Sequence, residues 1–130
     1  MLKQLRTVLH EPGMRRRWGW LWAALCVAVA VAALAPGDVA PTVTASDKVD
    51  HLLSFAALAA AGLLALAPGR RGSVLAASSM LAYGVLIELL QTQIPGRYGD
   101  VQDAVADAVG VALGVALITA LRWLVRLHKQ

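Results

Sequence analysis

The sequence predicts an all-α polytopic membrane protein: a four-transmembrane-helix bundle with a short N-terminal interfacial amphipathic helix, forming one domain over residues 1–130. Three observations predict it. The first is composition: 58% of the 130 residues are hydrophobic and the mean hydropathy is +0.64, more apolar matter than a soluble core of this size can hide. The second is segment length. Apolar stretches run over Trp18 to Ala35, Leu52 to Ala67, Val74 to Leu90 and Ala104 to Val125, each near the ~17–25 residues that carry a helix across hydrocarbon. Alanine, leucine and valine fill them without period-two alternation, which argues against a membrane β-barrel. The third is the placement of charge, since ten of the twelve lysines and arginines fall on one side of the four spans.

Taken in order, Leu2, Leu5, Val8 and Leu9 recur at helical spacing around Lys3 and Arg6, the pattern of the interfacial helix, and Glu11-Pro12-Gly13 breaks it. The first span follows Arg15-Arg16-Arg17 and opens with Trp18, Trp20 and Trp22. Trp123 closes the fourth, and indoles of this kind anchor at the membrane interface. Ala33-Leu34-Ala35 mimics a cleavage site, yet the apolar run exceeds the ~7–15 residues of a signal core, so the segment is expected to stay as a span. Cys26, the only cysteine, lies inside that span and reads as a small apolar filler. The second and fourth spans open alike, with Asp47-Lys-Val-Asp50 and Asp100-Val-Gln-Asp103, hinting at a duplicated hairpin in which Ser54 stands where Asp107 stands. Arg70 and Arg71 join the second span to the third; Ile94-Pro95-Gly96-Arg97 turns the third toward the fourth; and Arg122, Arg126 and Lys129 end the chain. The positive-inside rule then puts both termini in the cytoplasm of a cell (inner) membrane, with the loops Pro36 to Asp50 and Gln91 to Asp103 outside. Basic residues so placed are topology determinants and contacts to the lipid bilayer, and nucleic acid is not an expected partner.

Seven of the eight carboxylates, Asp38, Asp47, Asp50, Glu88, Asp100, Asp103 and Asp107, collect at the outer ends of the spans, with Lys48 and Arg97 as the only cations among them. Helix capping accounts for acids at Asp47, Asp50, Asp100 and Asp103. It does not account for Glu88, at the unfavourable end of its helix dipole, or for Asp107, a turn deeper than any cap. Both must face the bundle interior, where a solitary charge would otherwise meet lipid. Glu88 and Gln91 share a face, and Asp100, Asp103, Asp107, Gly110 and Gly114 form one stripe, acid above and glycine below, whose Gly-x-x-x-Gly lets a neighbouring helix come close. His51 shares a face with Asp47 and could accept a proton, bind metal or cap. Arg97 either neutralises two carboxylates or holds an anionic ligand group.

Asp47-Lys48-x-x-His51, Glu88-x-x-Gln91, Pro95-x-Arg97 and Asp103 followed by Gly110 and Gly114 together resemble the signature of VanZ-like membrane proteins, in the same order and on the same loops, over roughly Asp47 to Gly114. The resemblance implies a small multi-helix membrane protein of the cell envelope, of the kind named for an accessory role in teicoplanin resistance, with Asp47, Lys48, His51, Glu88, Gln91, Arg97 and Asp103 as shared residues. Three positions depart from the pattern. Asp107 stands where the family more often has asparagine, Asp100 where a small polar residue is usual, and Phe55 where a tyrosine is frequent, so the pocket is more acidic and lacks one hydroxyl donor.

Three function classes are compatible with these residues. In the first, Asp47, Lys48, His51, Glu88, Gln91, Arg97, Asp100, Asp103 and Asp107 line a ligand-binding pocket that engages a lipid-linked cell-wall precursor or a lipoglycopeptide at the outer leaflet. In the second, the protein is an intramembrane enzyme acting on a lipid-linked substrate. His51, Glu88 and Asp103 are then the catalytic candidates, and Glu88, Asp103 and Asp107 the ligands of a divalent cation, Mg²⁺ or Ca²⁺. No nucleophile elbow, HExxH or glycine-rich phosphate loop completes a named mechanism, and one histidine without a nearby cysteine argues against zinc. In the third, Glu88 and Asp107 relay protons in a small transporter or scaffold, which would need a homo-oligomer to line a path through the apolar cytoplasmic halves.

Overall fold

The computed structural model describes Gln4, residues 7–9 and residues 11–127, and among these the chain is helical with no strand. Helix α1 spans Pro12–Ala33, α2 Asp47–Ala65, α3 Arg70–Gln91 and α4 Val101–Leu127. Each boundary has a local cause. Pro12 starts α1 because its fixed φ suits the first turn and its missing N–H is not needed there. Gly69, at φ +131, turns the chain into α3. Helices α2 and α4 begin earlier than the apolar stretches do, with Asp47 and Asp50 in the first turn of α2 and Asp103 in that of α4, where an acid favours the positive helix end.

Helices α2, α3 and α4 are long and apolar enough to cross a membrane. The expected first span is not among them: α1 ends at Ala33, so every 18-residue stretch within its 22 residues takes in Arg16 and Arg17. The membrane character is written in the inversion of burial. Val74, Leu75, Val85, Leu86, Leu113 and Leu117 point outward, each more than half of its surface exposed or close to it, while Glu88, Asp103 and Asp107 are buried.

Helix α2 is central, and its contact with α4 is the most extensive in the bundle. Gly110 and Gly114 make it so, as the stripe predicts: a methyl at Gly110 would run into the backbone carbonyl of Leu52, and one at Gly114 into that of Ala56. Helix α1 lies mainly on α2. Two apolar clusters result. Phe55, Leu58, Ala59, Met80, Ile87 and Val111 fill the half nearer the acids, with Trp22, Cys26 and Val29 of α1 against them; Leu63, Leu64, Ala76, Ile118 and Val125 fill the other half.

The N-terminal segment is helical at Thr7–Leu9, and Leu9 is buried in the second cluster, so this part of the segment enters the bundle. Leu2, Lys3, Leu5 and Arg6 of the expected amphipathic helix lie outside the described residues. Trp20 and Trp123 are 74% and 58% exposed, as anchors would be, whereas Trp22 packs over Gly62.

Candidate functional site

The site begins with the first turns of α2. Ser46 is the N-cap in extended backbone, without a side-chain cap bond, and the next residues place Asp47 and His51 one turn apart on one face. Asp50 faces the preceding loop: its Oδ2 accepts the Val43 N–H at 2.9 Å and its Oδ1 the Thr44 N–H at 2.8 Å. Its task is to hold the loop onto the helix. Asp47 makes no cap bond and stays exposed beside the pocket.

At the start of α4, Asp100 is the cap that its position suggests, with Oδ1 accepting the Gln102 N–H at 2.8 Å. Lys48 crosses from α2, its Nζ 3.1 Å from Asp100 Oδ2 and 3.3 Å from Asp103 Oδ1. The Gln102 N–H, helped by Lys48, holds the Asp100 carboxyl below the usual carboxylate range. With Lys48 and Asp100 both over 40% exposed, this bridge sets register between α2 and α4 more than it adds stability.

Beneath this rim lies the buried centre. His51 Nδ1 donates to Asp107 Oδ1 at 2.9 Å and stands 3.9 Å from Glu88 Oε1. Glu88 Oε2 accepts the Asp100 N–H at 2.8 Å, tying the end of α3 to the start of α4. Glu88 is 8% exposed, Asp107 2% and His51 8%. Glu88 Oε1 and Asp107 Oδ2 are fully buried with no hydrogen-bond partner among the described residues, an arrangement that costs free energy unless something else satisfies them. Gly84 keeps room there, because a methyl on it would come within 2.8 Å of Asp107 Oδ2. Glu88 and Asp107 thus lie where the sequence argument requires them, facing inward and close together.

Two sets of side chains bring donor atoms within 4.8 Å of one another: His51 with Glu88 and Asp107, and His51 with Asp47 and Asp103. The expected trio of Glu88, Asp103 and Asp107 is therefore not one cluster. Asp103 belongs to the rim with Lys48, and His51 takes its place in the deeper set.

Two expected ligand residues face α1 instead of the acids. In the turn Ile94-Pro95-Gly96-Arg97, the Arg97 N–H closes onto the Ile94 carbonyl at 3.1 Å and Gly96 takes φ +74, which glycine alone adopts easily. The turn aims the guanidinium at the end of α1, where Nε donates to Ala35 O at 3.1 Å and Nη2 to Ala32 O at 3.3 Å. Arg97 satisfies helix-end carbonyls and makes no ion pair with a carboxylate among the described residues. Gln91 is 2% exposed, and its Nε2 donates to Ala33 O at 2.9 Å.

A cavity of about 200 Å³ opens between α1 and α2. Its polar lining is Asp47, Asp50, His51, Ser54 and Arg97, and its apolar lining is Ala28, Val29, Ala32 and Ala33 of α1 with Phe55 and Ile87. Sequence reasoning missed the α1 wall, although Ala28 and Ala32, and Val29 and Ala33, recur at the four-residue spacing of one helix face. It also missed Arg122, read only as a topology charge. Arg122 is 6% exposed and donates through Nη2 to Leu63 O at 2.6 Å. Its signal was the continuation of the buried stripe, since Gly110, Gly114, Ile118 and Arg122 are each four apart.

A family model described as VanZ/LLP1 matches residues 12–123. No curated protein and no solved structure matches the chain.

Proposed function

The chain belongs to the VanZ/LLP1 family, and on that footing we propose that its outer-face pocket binds or remodels an amphipathic component of the cell envelope. Lower susceptibility to lipoglycopeptides such as teicoplanin is the cellular consequence we attach to that binding. One observation carries the reading: the cavity is lined both by polar side chains, Asp47, Asp50, His51 and Ser54 with Arg97, and by the apolar Ala28, Val29, Ala32 and Ala33 of α1, which suits a guest with a polar head and a hydrocarbon chain. A lipid-linked cell-wall precursor has that character.

The reading includes four spans, with α1 as the first. Its 22 residues extend about 33 Å at ~1.5 Å per residue, enough for a ~30 Å hydrocarbon layer. Its packing against α2 and the 2.5 Å hydrogen bond from Tyr83 Oη to Cys26 O support that assignment. Both termini are then cytoplasmic and the pocket opens at the outer surface of the cell membrane.

The test uses wild-type protein in lipid nanodiscs and a fluorescent polyprenyl-diphosphate probe. Saturable binding that weakens at least about tenfold in Ser54→Phe, which fills the cavity, is expected. Binding no tighter than that of a labelled phosphatidylglycerol would refute the proposal. In cells, teicoplanin susceptibility should rise on deletion and be restored by wild type but not by Ser54→Phe.

The His51–Asp107 hydrogen bond favours a second reading. A carboxylate that orients an imidazole is the arrangement of a general base, so the pocket could serve an intramembrane hydrolase acting on the same lipid-linked class. Release of phosphate or of the head group from the bound probe, absent in His51→Ala, would select it over binding alone.

A further inference from the structure

The geometry points to a site for one divalent transition-metal ion, of the Mn²⁺ to Zn²⁺ class, held by His51 Nδ1, Glu88 Oε1 and Asp107. Three helices supply the donors: α2, α3 and α4. His51 Nδ1 is 2.9 Å from Asp107 Oδ1 and 3.9 Å from Glu88 Oε1, and the donor atoms of the set all lie within 4.8 Å of one another. Donors bound at ~2.0–2.2 Å to one ion stand roughly 3–3.5 Å apart, so small side-chain rotations close the set.

The second and independent observation is what the cluster lacks. Asp107 Oδ2 and Glu88 Oε1 are buried, on residues 2% and 8% exposed, and nothing among the described residues donates to either. Every other carboxylate of the outer end has a partner or faces solvent: Asp50 holds two loop N–H groups, Asp100 caps α4, Asp103 meets Lys48, and Asp38 and Asp47 are exposed. The two Lys/Arg cations of the outer end, Lys48 and Arg97, are engaged on the rim and on α1. A cation at the orphaned oxygens would take up their lone pairs and replace the Nδ1 proton of His51.

Donor chemistry selects the ion. One imidazole with two carboxylates suits Mn²⁺, Fe²⁺ or Zn²⁺ and disfavours Mg²⁺ and Ca²⁺, which take oxygen almost alone. Counting only histidine and cysteine, as the sequence argument against zinc does, leaves out the two carboxylates. Three protein ligands leave coordination positions free, and His51 also lines the cavity. The proposal deepens the reading of this pocket as a ligand site, because a bound dication would attract a phosphate that the surrounding acids repel.

The experiment uses the metal alone, so its failure is separate from failure of lipid binding. Chelator-stripped protein in detergent is titrated with Zn²⁺, Mn²⁺, Mg²⁺ and Ca²⁺ by calorimetry, with elemental analysis and thermal unfolding alongside. Expected are one Zn²⁺ per chain, a raised Tm, weaker Mn²⁺ binding, and affinity lower by at least about tenfold in His51→Ala, Glu88→Gln and Asp107→Asn. Asp47→Asn and Asp103→Asn should bind as wild type does. Where a ligand variant fails to fold, X-ray absorption of zinc-loaded wild type decides, with mixed nitrogen and oxygen ligation supporting the site. Any of four results overturns it: no uptake at millimolar Zn²⁺ or Mn²⁺, preference for Mg²⁺ or Ca²⁺, sulfur ligation, or loss of binding confined to Asp47→Asn and Asp103→Asn.

Discussion

Substituting Gly110 by valine tests how closely the site depends on the packing beneath it. Gly110 faces α2, and a methyl there would overlap the Leu52 carbonyl and sit 3.0 Å from Ala56 N and 3.1 Å from Leu52 C. These are backbone atoms and cannot rotate away. Gly→Val gains about 0.4 kcal/mol of helix propensity, while forcing extra carbon into a packed contact costs about 1–3 kcal/mol. The net loss is about 0.6–2.6 kcal/mol, a ~3- to 80-fold fall in the folded-to-unfolded ratio. Relief requires α2 to withdraw from α4, and His51, next to Leu52 on α2, is bonded at 2.9 Å to Asp107, one turn before Gly110 on α4. The same variant should therefore weaken whatever binds between His51 and Asp107. Reversible unfolding in mixed micelles measures the first effect, with Gly19→Val as the control because nothing lies within 4 Å of a methyl at Gly19. If Gly110→Val stays within about 0.5 kcal/mol of the control, the close helix approach is not what holds these helices in register.

Two further outcomes follow from named contacts. Arg122→Ala removes the donor to Leu63 O and leaves that buried carbonyl unpartnered at the end of α2, so a loss of about 1–3 kcal/mol is expected in the same unfolding assay. No loss would mean that the Leu63 carbonyl finds another donor. For pH, the Asp100 carboxyl is held below its ordinary range by the Gln102 N–H and Lys48, so its stabilising contribution is present above the unfolded carboxylate pKa of about 4 and disappears as pH falls through the lowered folded value. The stability gap between wild type and Asp100→Asn should be constant from neutral pH to about 5 and close below about 4. A gap that widens in acid contradicts the assigned cause.

Much of the site was legible because hydrocarbon allows few explanations for an acid. Glu88 and Asp107 could not be caps, so they had to face inward, and they do. Gly110 and Gly114 declared a close contact, and the turn Ile94-Pro95-Gly96-Arg97 declared its own geometry. Where the reading failed, the missing information was the partner. Arg97 belongs to a mixed-sign cluster by sequence position, yet the acceptors it meets are carbonyls at and just beyond the end of α1, more than sixty residues earlier. Asp103 is spaced with Asp107 along one stripe, but Lys48 draws it to the rim. Arg122 lies on the buried stripe and still reads as a surface charge until Leu63 O is brought beside it.

Local sequence alone was sufficient for the helical class, the membrane as solvent, the acid-rich end and the inward faces, because each depends on composition, period or an unavoidable desolvation cost within one segment. Which acid meets His51, which carbonyls Arg97 serves and which wall α1 gives the cavity depended on the three-dimensional packing. Those are pairings between helices, and a side chain's partner is set by the rotation and depth at which two helices lock, which no single segment encodes.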